Sequence, residues 1–127
     1  MKLSEDIFVA GWRSNGQDGS KYGVYVRFYK KDSGTNWNMV NILNNVEGSV
    51  TDEYQINTYS EYSQWATDLL KVNEELDFIV FWDSYYQDGD QWGVYAQLMD
   101  KNGVKLGDEI QINTTTSGNQ EFPTACK

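Results

Sequence analysis

The chain has 127 residues, one domain's worth, with 39% hydrophobic residues, 19 acids against 10 bases, a formal net charge of −9, no histidine and one cysteine. The acid excess argues against nucleic acid and anionic membrane surfaces, whose binders present clustered Lys and Arg, and the missing histidine removes the commonest general base and zinc ligand. The aromatic content, 15%, is not that of a disordered chain, and no stretch approaches the roughly 20 apolar residues of a membrane span.

Met1-Lys2-Leu3 runs directly into Ser4-Glu5-Asp6, so the chain as given shows no signal peptide. Ile7 to Trp12 is a short run of β-branched and aromatic residues, which reads as a buried strand. Ser14 to Lys21, with two glycines and an Asp-Gly pair, is turn chemistry. From Gly23 to Tyr29 the residues alternate, Val24, Val26 and Phe28 against Tyr25, Arg27 and Tyr29, which predicts a strand returning as a hairpin. The stretch from about 36 to 51 is rich in Asn and poor in helix formers, and it predicts an irregular lobe or an added hairpin. Tyr54 to Thr58 reads as an edge strand. Further strands are expected at Gln64–Leu70, Phe78–Trp82, Gly93–Met99 and Glu109–Asn113, with a loop over Ser84–Gln91 and a turn at Asp100–Gly103. Cys126 cannot form an internal disulfide on its own, and it is expected to be a buried apolar residue.

Two of these segments occur twice. Phe78 to Tyr95 matches Phe8 to Tyr25 at Phe, Trp, Ser, Gln-Asp-Gly and Gly-Val-Tyr, 70 positions apart (8 to 78). Asp108 to Thr114 matches Asp52 to Thr58, 56 positions apart (52 to 108), so the first copy holds the insertion at about 36–51. A periodic sequence decides architecture before any other reading. The expectation is an all-β chain of one two-repeat unit, repeat 1 over about 1–70 and repeat 2 over about 71–127. Each repeat is a four-stranded antiparallel meander of the β-propeller-blade kind. The copies are cut in phase, so Ile7, Phe8 and Val9 form a second strand lacking its first. Phe122, Ala125 and Cys126 lie in a first strand lacking its second. Open edges seek partners, and a blade completed between chains would give a ring or a filament. Rings need about 4–8 blades, more than one chain supplies.

The pattern of apolar strand ending in Trp, then Ser-x-x-Gln-Asp-Gly, Gly-Val-Tyr and Asp-Glu-x-Gln-Ile-Asn-Thr resembles repeats of large secreted bacterial and protist surface proteins, distantly similar to the FG-GAP blades of integrin-type adhesion proteins. The resemblance covers nearly the whole chain outside the insertion. It implies a propeller-type fold, an extracellular or cell-surface location, and a structural or adhesive role. It also implies calcium in an inter-strand loop. The second copy departs from the pattern where Tyr85-Tyr86 replaces Asn15-Gly16.

Three chemistries bear on the residues themselves. Asp18, Asp83, Asp88 and Asp90 are hard oxygen donors near Gly-containing loops, which suits calcium; equally, Asp18 and Asp88 would make Asx turns with Gly19 and Gly89 in left-handed conformations. Tyr22, Tyr25, Tyr85, Tyr86, Trp92 and Tyr95 flank the same loops. They would hold a carbohydrate or another protein, or else brace the hairpins. Asn113-Thr114-Thr115 is an N-glycosylation sequon, and the matching Asn57-Thr58-Tyr59 is not. No nucleophile motif, phosphate loop or placed carboxylate pair is visible, so no enzyme activity, cofactor or membrane insertion is expected. The leading expectation is a self-associating structural or adhesive protein whose partner is itself. The alternative is a lectin-like module.

Overall fold

The computed structural model describes residues 1–41, 46–47, 53–75 and 77–127. Among them the chain is all-β, with nine strands in two antiparallel sheets and no helix. Neither sheet closes into a barrel. The strands are β1 (Ile7–Asn15), β2 (Tyr22–Lys31), β3 (Trp37–Asn41), β4 (Val46–Glu47), β5 (Tyr54–Gln55), β6 (Gln64–Lys71), β7 (Phe78–Tyr85), β8 (Trp92–Met99) and β9 (Ile110–Gln111).

The second sheet is the expected meander, β6-β7-β8-β9. The first differs from a four-stranded meander. It runs β1-β2-β3-β4, with β5 also pairing β2, and so has five strands. The insertion supplies the difference. β3 pairs with β2 over Phe28–Lys31, and β5 pairs with it over Tyr25–Val26, so β2 shares one edge between two partners. In the second sheet the corresponding stretch carries only the single bridge between Met99 and Lys105. Part of the insertion, 42–45 and 48–51, lies outside the described residues.

Period-2 alternation assigns the faces. On the first sheet, Val9 stands opposite Phe28 and Gly11 opposite Val26, and these face the second sheet. On the second, Phe78 is opposite Met99 and Trp82 opposite Tyr95. Val9, Val24, Val26, Phe28 and Ile56 merge with Phe78, Val80, Trp82, Tyr95 and Met99 into one buried cluster, capped by Leu3. Phe28 and Phe78 meet edge to face across the seam, with centroids 5.7 Å apart. β6 is the edge of the second sheet, yet it packs against β1 and β2. There a Cβ on Gly11 would lie 3.0 Å from Leu69, a close approach that favours glycine.

Candidate functional site

Residues that match in the sequence make matching hydrogen bonds. In the first loop, Asp18 Oδ1 accepts from the Ser20 N–H at 3.0 Å and Oδ2 from Gln55 Nε2 at 3.1 Å. In the second, Asp88 Oδ1 accepts from the Asp90 N–H at 3.3 Å and Oδ2 from Gln111 Nε2 at 3.2 Å. Gly19 and Gly89 have φ of 86° and 95°. These are Asx turns with left-handed glycines, and each carboxylate is also tied to the neighbouring strand. Gln17 donates to Glu53 at 2.6 Å, and Gln87 to Glu109 at 2.8 Å. Glu109 also accepts from the Thr58 N–H, which joins the second loop to the connection leaving the first sheet.

The four acids expected at a calcium site have separate tasks. Asp90 accepts from the N–H groups of Gln91 and Gly118. Asp83 is buried on β7 and accepts from the Phe122 N–H at 3.0 Å. Its carboxyl is pushed up to about 6 by burial, with Glu121 adding to the shift and the Phe122 N–H opposing it. Among the described residues no three acids or cysteines are grouped to hold a metal ion.

Asn113 has a task that its sequon does not reveal. Its Oδ1 accepts from the Val94 N–H at 2.7 Å, and its Nδ2 donates to the carbonyl of Thr115 and to Gln120. Asn57 makes the same three bonds, to Val24, Tyr59 and Gln64. This amide pins the end of one sheet to the start of the next segment.

The aromatic candidates divide. Tyr25 and Tyr95 are 3% and 5% exposed, stacked beneath Trp12 and Trp82. They present no open ring face, which corrects their reading as ligand contacts. Burial raises both phenols, Tyr95 to about 12, helped by Asp88 and Glu109. Tyr22, Tyr85, Tyr86 and Trp92 converge instead, through residues the sequence did not single out. Arg13 lies 5.1 Å over Tyr22 and 4.5 Å over Trp65. Trp65 meets Trp92 at 4.8 Å, Trp92 meets Tyr85 at 5.1 Å, and Tyr62 joins Tyr85 and Tyr86. The result is one belt of rings across the loop end of both sheets. Its rings meet in tilted and edge-to-face contacts, and Tyr86 stays 46% exposed.

The expected assembly edges need three corrections. Ile7 to Val9 is not an open edge: Met1 exchanges hydrogen bonds with Val9 at 2.7 and 2.9 Å, and Lys2 bridges Phe8. The outer side of β1 is unpaired among the described residues only beyond that point. Cys126 is exposed, not buried. The segment from Phe122 to Cys126 forms no strand; it lies beside the second sheet, where Ala125 donates to Asp68 at 2.8 Å and Lys127 to the Val72 carbonyl at 3.1 Å.

The two remaining faces are unlike their buried counterparts. Ile56 is 0% exposed, whereas the matching Ile112 is 48% exposed. Phe28 is fully buried and its match Leu98 only half-buried; Phe78 and Trp82 are fully buried and their matches Phe8 and Trp12 half-buried. No protein-family model, curated protein or solved structure matches the chain.

Proposed function

We propose that the protein is a non-enzymatic, self-associating structural protein, built from two propeller-blade-like units that stack head to tail. The outer face of the second sheet on one copy receives the outer face of the first sheet on the next. The observation that carries this reading is the contrast between Ile56 and Ile112. Matching residues just beyond matching strands are buried in the core in one place and open to water in the other. Leaving a large aliphatic side chain wet forfeits on the order of 1.5–3 kcal/mol of burial. Val104, Leu106, Ile110 and Ile112 are each exposed, and the backbone of all four lies along the edge of β8 or next to it; exposed apolar surface marks interaction sites where it is contiguous. The mode of contact is already present inside the chain, where the first sheet lies on the second.

Light scattering after gel filtration tests the reading. The expected mass is a multiple of 14.6 kDa at concentrations of about 10–100 μM, where contacts worth roughly 6–8 kcal/mol hold. Ile112→Asp is expected to shift the mass to that of a single chain without unfolding it, since Ile112 is outside the core. A parent protein monomeric throughout that range would overturn the proposal.

A further inference from the structure

The β6–β7 pairing is a template for the outer side of β1, which beyond Val9 is unpaired among the described residues. In it Gln64 stands opposite Ser84, Trp65 opposite Asp83, and Ala66 opposite Trp82. The register then shifts, with Asp68 opposite Phe81 and Leu69 opposite Val80. Thr67 is the residue passed over. Moved by the repeat offsets, the template sets Gln120 opposite Ser14, Glu121 opposite Arg13, Phe122 opposite Trp12, Thr124 opposite Gly11 and Ala125 opposite Ala10.

Resting on the self-association proposed above, we infer that Gln120–Ala125 of one copy is the missing first strand of the next copy's first sheet, pairing antiparallel with the Ala10–Ser14 edge of β1. Four observations converge on this register. Pro123, the chain's one proline, falls on the passed-over position, and a residue without an N–H is tolerated in a sheet at such an irregularity. Glu121 meets Arg13, and opposite charges directly across a pair favour it; this matters in a chain with only 10 basic residues. Phe122 meets Trp12, an aromatic cross-strand pair.

The hydrogen-bonding groups fit as well. The N–H groups of Gln120, Phe122 and Ala125 are bonded within the chain, to the Trp92 carbonyl, Asp83 and Asp68. Those of Glu121 and Thr124, which alternate with them, make no hydrogen bond among the described residues. On β1, Met1 bonds outward to Val9. By strand alternation the next outward groups are those of Gly11 and Arg13, the residues set opposite Thr124 and Glu121. One side of the segment is therefore fixed to its own sheet, and the other presents a ladder that matches the vacant edge. Phe122 is 69% exposed at φ 61°, in the left-handed region that a bulky residue seldom occupies. Extended pairing would return it to ordinary angles and cover its ring. Growth of this kind does not require the segment to leave its own sheet, just as β6 remains an edge of the second sheet while packing on the first.

Disulfide trapping tests the inference. Arg13→Cys and Glu121→Cys are made in separate proteins, each with Cys126→Ser, and the two are mixed under mild oxidation. Directly opposed residues lie within disulfide reach, so the mixed cross-link is expected to form at least about ten-fold faster than that between Arg13→Cys and a Thr115→Cys control. Thr115 and Arg13 are exposed and Glu121 half-buried, and unchanged melting temperatures would show that each variant folds. Equal cross-linking of the two pairs, with the mixture still oligomeric by light scattering, would overturn the strand assignment and leave stacking intact. A monomeric, unlinked mixture would overturn both.

Discussion

Asp83 is the residue whose environment has the clearest consequence. It is buried, its carboxyl is raised to about 6, and the main cause is desolvation. A raised pKa means that the folded chain holds this proton more tightly than the unfolded chain does. The resulting stability is fully present below about 4 and is lost as pH rises through about 6. Asp83→Asn keeps an oxygen for the Phe122 N–H and removes the buried charge. The variant should exceed the parent by on the order of 1–2 kcal/mol at pH 7.5 and match it near pH 4, by denaturant unfolding at each pH. A gap that is the same at both pH values would mean that the fold does not raise the Asp83 carboxyl. Tyr86 illustrates another residue-scale point. It occupies the place of Gly16 at φ 65°, and its ring contacts Tyr62 and Tyr85. Tyr85-Tyr86 departs from the repeat in sequence, yet the backbone at Tyr86 keeps the glycine-like angle of Gly16.

At the level of strands, β2 carries the most. It pairs with β1, β3 and β5, and Phe28 crosses from it to the second sheet. Phe28→Ala should destabilise the fold by about 3–5 kcal/mol, because the ring is fully buried between two sheets that cannot close over the gap. Chemical denaturation with unchanged slope would measure it, and a loss under about 1 kcal/mol would show that the seam repacks. The long strands were legible because alternation and flanking Gly-Asp turns are local signals; β2, β6 and β8 lie within a residue or two of the expected bounds, while β1 and β7 run three residues further, to Asn15 and Tyr85, into the expected turn and loop. What was not legible depends on distant partners. The bulge at Thr67, the pairing of Met1 with Val9, and the halving of β2's edge are set by what happens to lie alongside. The last strand was expected over Glu109–Asn113, but pairs as a ladder only at Ile110–Gln111. Beyond it Asn113's side chain takes over from the backbone. The repeated Gln and Asn of the loops were visible as matches. Their bonds to Glu53, Glu109 and Gln120 were not, since each spans a loop. Arg13 carries no repeat signal because its repeat partner is Asp83, a mismatch that the proposed pairing between copies would explain.

On the scale of the molecule, the net charge of −9 would set conditions for the proposed assembly. Copies that stack through apolar faces must overcome mutual repulsion, which salt screens over about 10 Å at 0.1 M. The average mass at fixed protein concentration should therefore rise between about 20 and 300 mM NaCl. A fall would mean that attractive pairs such as Arg13 with Glu121 outweigh the mutual repulsion of the copies. The fold was legible at this scale as all-β. The use of the belt aromatics on one another was not, because it arises only where the loop ends of two sheets are brought side by side.

The two outer faces are chemically unlike, with Phe8, Trp12 and Tyr29 on the first sheet and Ile79, Leu98 and Ile112 on the second. Head-to-tail growth through them would be polar, every intermediate having one end of each kind. A copy crippled on one face alone would still be accepted at the other and would then admit no successor. A small admixture of Ile112→Asp would thus act as a chain terminator, shortening filaments or opening rings far out of proportion to its amount.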